Sequence, residues 1–252
     1  MQLPSTSFLT HFKQGACSAL FFMGMVISSL FMGPVLMLAI VLPLRWRHAL
    51  ARQWVHFNLW SLKTLCGLDY HVTGLENIPD SGAAVILCKH QSAWETLALQ
   101  VIFPPLVFVL KKELLSIPVW GWAMATLKPI AINRGQRAKA MRQILASGQE
   151  RLAEGLWVVL FPEGTRVAAG TPTRFASSGS TLAHKAGVPV IPVAHNAGSY
   201  WKRQGFYKKP GVIEICIGPP VYPDGLNVQT INTTAEAWVE ARMQELEQRS
   251  ET

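Results

Sequence analysis

The chain has 252 residues, of which 50% are hydrophobic and only 15% are charged, and its mean hydropathy is +0.23. This composition excludes a disordered or fibrous protein and is apolar for a soluble enzyme, so it indicates contact with a membrane. Lysine and arginine outnumber aspartate and glutamate by 23 to 15, which gives a formal net charge of +8. Anionic partners are therefore expected, and phospholipid headgroups, phosphorylated small molecules and nucleic acid are all compatible with the charge alone.

The N-terminal segment predicts a membrane anchor. Residues 14–44 contain no charged side chain, and they are long enough for a membrane helix. Gly33 and Pro34 interrupt this run, so we expect either a kinked span or a re-entrant helical hairpin. A cleaved signal peptide is disfavoured because the run is too long for one. Arginines are denser after the run than before it, which predicts that the following domain lies on the cytoplasmic face of the cell (inner) membrane.

A basic and aromatic stretch follows the apolar run, and we call residues 45–63 the basic collar. Its interleaved arginines and tryptophans are Arg45, Trp46, Arg47, Arg52, Trp54 and Trp60. This pattern is typical of a helix at the headgroup level of a bilayer. Packing of the same helix against the following domain explains the pattern equally well. No nucleic-acid-binding motif accompanies the cations, so we expect phospholipid and no nucleic acid as a partner.

Beyond residue 70, short β-branched runs alternate with helical patterns. This alternation predicts an α/β fold with a mostly parallel central sheet flanked by helices. We predict membrane-anchoring helices in residues 1–66 and one α/β domain in residues 67–252, because no repeat or linker divides the latter. Strands are predicted near 84–89, 106–110, 129–132, 156–161, 189–194 and 212–217, and helices near 136–154, 178–186 and 234–249.

A seven-residue motif from Lys89 to Glu95 lies where a buried strand ends and a helix begins, which is where open α/β sheets bind their ligands. A histidine there can remove a proton from a hydroxyl group, and a carboxylate can orient its imidazole. On one continuous helix His90 and Glu95 would lie about 140° apart, so they can pair only if His90 precedes the helix. Alternatively, Ser92 and Glu95 form a capping box, and one carboxylate cannot fully serve both partners.

The hexapeptide from Phe161 to Arg166 follows another strand and contains anion-binding groups. Gly164, followed by Thr165, can bring backbone amides close to an anion, and Arg166 offers a bidentate fork for a phosphate. Glu163 would repel a phosphate, so we expect it to bind a hydroxyl group or to brace an arginine. An ordinary tight turn explains the same residues.

Two more strand ends are basic. Asn133 and Arg134 follow one strand at a predicted helix start, and Lys111 and Lys112 follow another. Cations at a helix N-terminus oppose the helix dipole, which makes a bound anion a reasonable explanation. A solvated basic surface is the alternative for both positions.

No metal site or cofactor is expected. The sequence has no G-x-G-x-x-G, no Walker loop and no H-E-x-x-H, and its four cysteines are scattered without a C-x-x-C. The isolated His184 and His195 are expected to pack rather than to bind a metal.

Four sequence blocks, taken in order, resemble the glycerolipid acyltransferase superfamily, specifically the bacterial-type 1-acyl-sn-glycerol-3-phosphate (lysophosphatidic acid) acyltransferases. The resemblance covers residues 70–220. The four blocks are His90-x4-Glu95, Asn133-Arg134-Gly135, Phe161-Pro162-Glu163-Gly164-Thr165-Arg166 and Val190-Ile191-Pro192-Val193-Ala194. The family usually has aspartate where this chain has Glu95, and glutamate can still reach the imidazole because it is longer by one methylene.

The resemblance implies a membrane-bound enzyme that moves a fatty acyl group from acyl-CoA or acyl-carrier protein to the sn-2 hydroxyl of 1-acyl-glycerol-3-phosphate, forming phosphatidic acid. His90 would be the general base and Glu95 would orient it. No cofactor is implied beyond the acyl donor. An acyltransferase for another lyso-lipid, such as a lyso-ornithine lipid, is one alternative, and a non-catalytic, membrane-anchored lipid-binding protein is another.

The same resemblance implies which cations contact the substrates. Glu163 and Arg166 would help to bind lysophosphatidate. Arg134 and either Lys111 or Lys112 would lie on its phosphate or near the thioester.

Overall fold

The computed structural model describes residues 8–168, 170–171 and 173–251, so residues 1–7 of the predicted anchoring segment lie outside the described residues. The chain begins with two long helices, α1 (Phe8–Leu38) and α2 (Leu44–Cys66), which pack against each other. Helix α1 continues through Pro34, and the chain turns at residues 39–43 rather than at Gly33 and Pro34. The two helices therefore form a hairpin.

Helix α1 is apolar on most of its surface. The helical run Thr10–Val41 is long and apolar enough to cross a membrane, and only 17% of its most apolar stretch is buried within the protein. Large apolar side chains such as Phe31 and Leu38 are 74% and 78% exposed. This face needs an apolar environment outside the chain.

The basic collar lies on α2 and is divided between solvent and protein. Trp46 and Trp60 are exposed, whereas Trp54 donates through Nε1 to the Ser28 hydroxyl of α1 at 3.1 Å. Arg52 donates to the Val101 carbonyl at 2.6 Å. Another collar arginine, Arg47, donates to the Thr126 carbonyl. Much of the collar therefore fastens α2 to the domain, as the packing alternative predicts.

The described residues after α2 contain seven strands and six further α-helices. The strands are β1 (Leu68–Thr73), β2 (Val85–Cys88), β3 (Leu106–Lys111), β4 (Ile130–Ile132), β5 (Trp157–Leu160), β6 (Val190–His195) and β7 (Gly211–Ile217). The helices are α3 (Trp94–Ile102), α4 (Trp120–Ala125), α5 (Arg137–Ala153), α6 (Ser178–Ala186), α7 (Ala197–Tyr200) and α8 (Val228–Glu251). Helix α8 begins earlier than the predicted start near residue 234.

The strands form one sheet in the order β1-β7-β6-β2-β5-β3-β4. All neighbours are parallel except β6 and β7, which are antiparallel. The predicted α/β fold with a mostly parallel sheet is therefore confirmed. Strand β1 was missed by the sequence prediction because its sequence, LDYHVT, alternates polar and apolar residues at an edge of the sheet.

The sheet is buried on both faces. On β2, Ile86 and Cys88 face a cluster that includes α2 and α3, whereas Val85 and Leu87 face a cluster that includes α5, α6 and α8. This alternation follows from the two-residue period of a strand. Strands β6, β2 and β5 are adjacent and parallel, so their carboxyl ends meet at one edge of the sheet, which we call the catalytic edge.

Candidate active site

His90 and Glu95 form a buried hydrogen-bonded pair at the catalytic edge. His90 lies in the turn after β2, and α3 begins at Trp94. The His90 Nδ1 atom lies 2.8 Å from Glu95 Oε1, and the two side chains are 11% and 0% exposed. The pairing therefore depends on His90 preceding the helix, which is the condition that the sequence spacing imposes.

Glu95 also caps the turn. Its Oε1 atom accepts from the Gln91 amide at 3.0 Å and from the Ser92 amide at 2.9 Å, in addition to His90. Thus one carboxylate oxygen serves both the histidine and the helix start, contrary to the expectation that these roles compete. The other half of the capping box is absent from the described contacts, because the Ser92 hydroxyl accepts from the Trp94 amide instead of from Glu95.

These hydrogen bonds define the protonation of the pair. Burial alone would raise the pKa of Glu95, but the hydrogen bonds from His90 and from the Ser92 amide outweigh it and hold the pKa below its usual value. An ionised carboxylate can only accept, so the proton lies on His90 Nδ1. In the neutral imidazole the other ring nitrogen, Nε2, carries a lone pair and can act as a base.

Aromatic stacking fixes the plane of the imidazole. The ring of Phe161 lies parallel to that of His90, with centroids 3.8 Å apart and planes 13° apart. The ring of Phe108 is nearly parallel to that of Phe161, with centroids 6.1 Å apart. The sequence alone predicts Phe161 as the end of a strand and gives it no contact with His90. The contact could be predicted only by knowing that β2 and β5 are neighbours, because their ends then lie side by side.

Glu163 is a buried carboxylate whose nearest described charge is a lysine and not the expected arginine. Its side chain is 1% exposed, and Lys89 Nζ lies 3.7 Å from its Oε1 atom. Neither carboxylate oxygen has a hydrogen-bond partner among the described residues. Burial raises the pKa of Glu163 to about 7. The expectation that Glu163 braces an arginine is therefore wrong for the described contacts, whereas binding of a hydroxyl group stays a prediction.

Lys89 is a buried cation at the start of the Lys89–Glu95 motif, and the sequence alone predicts no role for it. Its Nζ atom donates to Glu240 Oε1 at 2.7 Å and to the Thr173 hydroxyl at 3.2 Å, and its side chain is 2% exposed. No local signal identifies this contact, because Glu240 is 151 positions away on α8. The Lys89 carbonyl also accepts from His195 Nε2 at 2.8 Å.

Helix α8 holds the segment that follows the third sequence block. Glu236 accepts from the Phe175 amide at 2.9 Å, and Glu247 accepts from the Gly170 amide at 2.7 Å. Glu240 lies between them on the same helix and binds Lys89. These three glutamates are spaced about one or two helical turns apart, so they lie on one face of α8. Glu236 and Glu247 hold the segment, and Glu240 holds Lys89 next to His90.

The third block turns sharply beside His90. Gly164 adopts a φ of 72°, and its amide donates to the Phe161 carbonyl at 2.9 Å. This amide is therefore hydrogen-bonded within the turn and is not free to bind an anion. Thr165 is exposed and Arg166 is half-buried. The Val167 amide donates to the His90 carbonyl at 2.8 Å, which joins the turn to the histidine.

The remaining predicted binding residues lie further along the same edge. Strand order places β3 two positions and β4 three positions from β2, or about 10 and 14 Å at the usual strand spacing. Lys112 and Asn133 line one surface depression, and Lys111 Nζ lies 3.5 Å from Glu113 Oε1. Partial burial lowers the pKa of Arg134, and the charge of Glu113 opposes this shift. The strands that carry these groups are therefore separated from β2 by one and two intervening strands.

His195 packs in the core, as expected, whereas His184 is exposed on α6, so the expectation that it packs is wrong. The Nδ1 atom of His195 accepts from the Ala197 amide at 3.2 Å, and its Nε2 atom donates to the Lys89 carbonyl. Burial lowers its pKa, so it is neutral and held in one tautomer. Across residues 8–168, 170–171 and 173–251 there is no cluster of three or more side chains suited to a metal ion.

Comparison with known proteins identifies the family. The family described as Acyltransferase matches residues 69–196. The chain is 47% identical to a 1-acyl-sn-glycerol-3-phosphate acyltransferase of Pseudomonas aeruginosa over 83% of this chain and 82% of that protein. It is 30% identical to the human 1-acyl-sn-glycerol-3-phosphate acyltransferase alpha over 71% of this chain and 64% of that protein.

A solved structure supports the fold independently. The crystal structure of the 1-acyl-sn-glycerophosphate acyltransferase PlsC from Thermotoga maritima matches with a TM-score of 0.77, at 24% identity, over 92% of this chain and 95% of that one. At this identity the match shows a shared fold. Together with the family match and the bacterial relative, it shows that the chain belongs to the 1-acyl-sn-glycerol-3-phosphate acyltransferase family and is an acyltransferase.

Proposed function

We propose that this enzyme transfers a fatty acyl group from acyl-CoA or acyl-carrier protein to the sn-2 hydroxyl of 1-acyl-sn-glycerol-3-phosphate, which forms phosphatidic acid. The observation that carries the proposal is the His90–Glu95 pair, because its hydrogen bond leaves a basic nitrogen at the catalytic edge. The names of the relatives supply the acceptor. A non-catalytic lipid-binding protein has no need for such a pair.

In the proposed reaction, His90 Nε2 accepts the proton of the acceptor hydroxyl as the oxygen attacks the thioester carbonyl carbon. The tetrahedral intermediate then collapses, the carbon–sulfur bond breaks, and His90 returns the proton to the departing thiolate. No acyl-enzyme forms. General-base assistance contributes roughly 10²–10⁴-fold, and holding both substrates together contributes the remainder through effective concentration. Glu95 stabilises the imidazolium that forms between the two proton transfers.

The acceptor headgroup is expected to bind beside His90. Arg166 follows β5, the strand next to β2, so its guanidinium is better placed for the acceptor phosphate than the groups after β3 and β4. Glu163 retains two unused hydrogen-bond acceptors for a glycerol hydroxyl. Arg134 and either Lys111 or Lys112, further along the edge, suit anionic groups more distant from the reacting bond.

We also propose that α1 lies along the cytoplasmic leaflet of the cell membrane and does not cross it. The α/β domain contacts α1 near both ends: Gln14 donates to the Lys208 carbonyl at 3.1 Å, and Gly33 packs against Val119. These two contacts are about 28 Å apart along the helix, close to the thickness of a hydrocarbon core. A perpendicular crossing would therefore carry polar parts of the domain into the bilayer. The density of arginines after residue 44 supports the cytoplasmic side.

A direct acylation assay tests the proposed reaction. The purified full chain receives labelled oleoyl-CoA with lysophosphatidate, and in parallel reactions with lyso-ornithine lipid or with other lysophospholipids. Labelled phosphatidic acid should be the main product, and His90→Ala should abolish it while circular dichroism shows an unchanged fold. Preferential acylation of another lyso-lipid would contradict the proposed acceptor, and near-normal turnover by the variant would contradict the mechanism.

A further inference from the structure

The segment between α7 and β7 is basic, aromatic and exposed, and we call residues 201–210 the basic loop. It contains four cations and no acidic residue. Lys202, Arg203 and Lys209 are exposed, and Phe206 and Tyr207 are 46% and 56% exposed. No ion pair joins the three exposed cations to a carboxylate within the described part of the chain. Exposed aromatic rings flanked by unpaired cations are typical of a segment that binds a surface that is both apolar and anionic.

The fourth cation, Lys208, fastens the basic loop to α1. Its ammonium group lies 4.8 Å from the ring of Trp201 and 5.4 Å from that of Phe21, and it donates to the Phe206 carbonyl at 2.8 Å. The Lys208 amide donates to the Ser18 hydroxyl of α1 at 3.0 Å. The loop is therefore continuous with the apolar surface of α1, since buried cation–π contacts and hydrogen bonds join the two.

The basic loop differs from the basic collar in how its cations are used. Two collar arginines donate to backbone carbonyls of the domain and are half-buried, whereas Arg45 of the collar is exposed. In the basic loop only Lys208 is turned inward, and three cations stay exposed. The basic loop therefore presents more exposed, unpaired cations to a partner than the collar, where Lys63 is paired with Asp69 and two arginines contact the domain.

The basic loop also projects from the catalytic edge. Helix α7, which directly precedes it, contacts the residue next to His90, because the Gly198 amide donates to Gln91 Oε1 at 3.3 Å. The Lys209 amide donates to the Tyr200 carbonyl of α7 at 2.9 Å, which closes the loop at its base. A partner of the loop therefore lies near the site of acyl transfer.

We propose that the basic loop is a second lipid-contact surface, which binds anionic phospholipid headgroups and, together with α1, turns the catalytic edge toward the bilayer. The inference rests on the proposed membrane association of α1. An acidic carrier protein would suit the cations alone. The exposed Phe206 and Tyr207 favour lipid, and Tyr207 lies next to Gly15 of α1.

Hydrogen exchange of the vesicle-bound full chain tests this inference. The protein is bound to vesicles of phosphatidylcholine alone, or of phosphatidylcholine and phosphatidylglycerol at about three to one. Amides 202–207 should exchange more slowly on the anionic vesicles. Each cation near an anionic surface contributes roughly fivefold to binding, so the double variant Lys202→Ser/Arg203→Ser should weaken docking of the loop by about 30-fold.

Matched variants make the test specific. Arg142→Ser/Lys185→Ser removes the same charge from exposed positions on α5 and α6 and should leave the protection of the loop unchanged. Tyr207→Ser should reduce the protection, whereas Tyr222→Ser, at a ring that is 52% exposed outside the loop, should not.

The outcomes separate the two proposals. A loop that exchanges equally on both vesicles, while the protein co-sediments with them, would overturn the basic loop as a lipid surface and leave the anchoring by α1 intact. Failure to co-sediment with either vesicle would contradict the proposed membrane association and this inference with it. Protection of the loop by added acyl-carrier protein, and not by phosphatidylglycerol, would assign the surface to a protein partner and overturn the inference.

Discussion

Glu95 and Glu163 are both buried next to the segments that hold His90, and the protein surrounds them in opposite ways. One oxygen of Glu95 accepts three hydrogen bonds, whereas neither oxygen of Glu163 has a partner among the described residues. Burial acts against the charge of each. Hydrogen bonds overcome it at Glu95, whose pKa is lowered, but the nearby backbone of Glu163 and His90 and Lys89 at 3.7 Å do not overcome it at Glu163, whose pKa is raised to about 7.

This difference separates two kinds of carboxylate in one site. Oε1 of Glu95 accepts three hydrogen bonds within the chain, although Oε2 has no described partner, and the lowered pKa keeps the carboxylate ionised and the proton of His90 on Nδ1. Glu163 has unused acceptor capacity, and a buried polar group without partners is costly unless a ligand supplies them. Two acids whose pKa values are pushed apart by their surroundings are suited to different roles. We interpret Glu95 as a positioning residue for His90 and Glu163 as a contact for the acceptor.

The largest expected effect is at Glu95. Glu95→Gln removes the charge that stabilises the imidazolium, so kcat should fall by roughly 10²–10⁴-fold. Glu95→Asp keeps the charge and should retain a substantial part of the activity. Both variants are assayed at saturating donor and acceptor, with thermal unfolding as the control for folding. Equal, mild losses in the two variants would show that Glu95 only caps the start of α3.

Removal of the cation next to Glu163 tests the other half of the comparison. Lys89→Met leaves the buried carboxylate of Glu163 and the partly exposed carboxylate of Glu240 without their ammonium group, so the free energy of unfolding should fall by roughly 3–5 kcal/mol. Chemical denaturation at neutral pH measures the change. Lys185→Met, at an exposed position, is the control and should change the stability little. A loss no larger than that of the control would mean that Lys89 does not compensate these carboxylates.

The pH dependence of stability distinguishes the two carboxylates directly. Because the pKa of Glu163 is about 7 in the folded protein and about 4.5 when it is unperturbed, the folded state binds more protons than the unfolded state between these values. Stability should therefore fall as the pH rises through this window. Glu163→Gln cannot titrate, so its stability relative to the wild type should grow by up to roughly 3 kcal/mol across the window and stay constant above it.

Thermal unfolding of both proteins from pH 4 to pH 9, at about half-unit steps, measures this difference. All other titratable groups are shared, so their contributions cancel to first order. A difference that grows with decreasing pH would mean that the pKa of Glu163 is lowered and would contradict the comparison. A difference that is constant with pH would mean that the pKa is unshifted.

The sequence predicts those features of the fold and the site that depend on contacts between residues close together in the chain. His90 and Glu95 are five positions apart, so the strand end, the turn and the helix start suffice to predict that they pair. The hydrophobic runs likewise predict six of the seven strands. The alternation of polar and apolar residues in β1 is a weaker signal, and only its pairing with β7 makes it a strand.

Contacts between residues that are far apart in the sequence could not be predicted from it. Lys89 finds Glu240 on α8, and Lys208 finds the aromatic rings of α1, over separations that no periodicity encodes. The collar shows the same limit, since Arg52 has the pattern of a lipid-facing cation but donates to a carbonyl of α3. A single sequence reports that a residue is basic or buried, but the partner that decides its role depends on which elements pack together.

The smallest expected effect is at Glu240, and it tests whether the two carboxylates that face Lys89 share its charge. Glu240→Gln keeps an acceptor 2.7 Å from Lys89 but removes the charge, so the direct cost should be about 1 kcal/mol at neutral pH. Lys89 then acts on Glu163 alone, and one negative charge nearby is lost. Both changes favour the ionised form of Glu163, so its pKa should fall from about 7 toward 4.5.

This shift is measured by repeating the comparison with Glu163→Gln in the Glu240→Gln background. The pH at which the stability difference stops growing should be lower than in the wild type, because that upper limit marks the pKa of Glu163 in the folded state. An upper limit that stays near the wild-type value would show that Lys89 neutralises Glu240 only. Glu163 would then be a carboxylate that the chain leaves uncompensated, which would strengthen its contrast with Glu95.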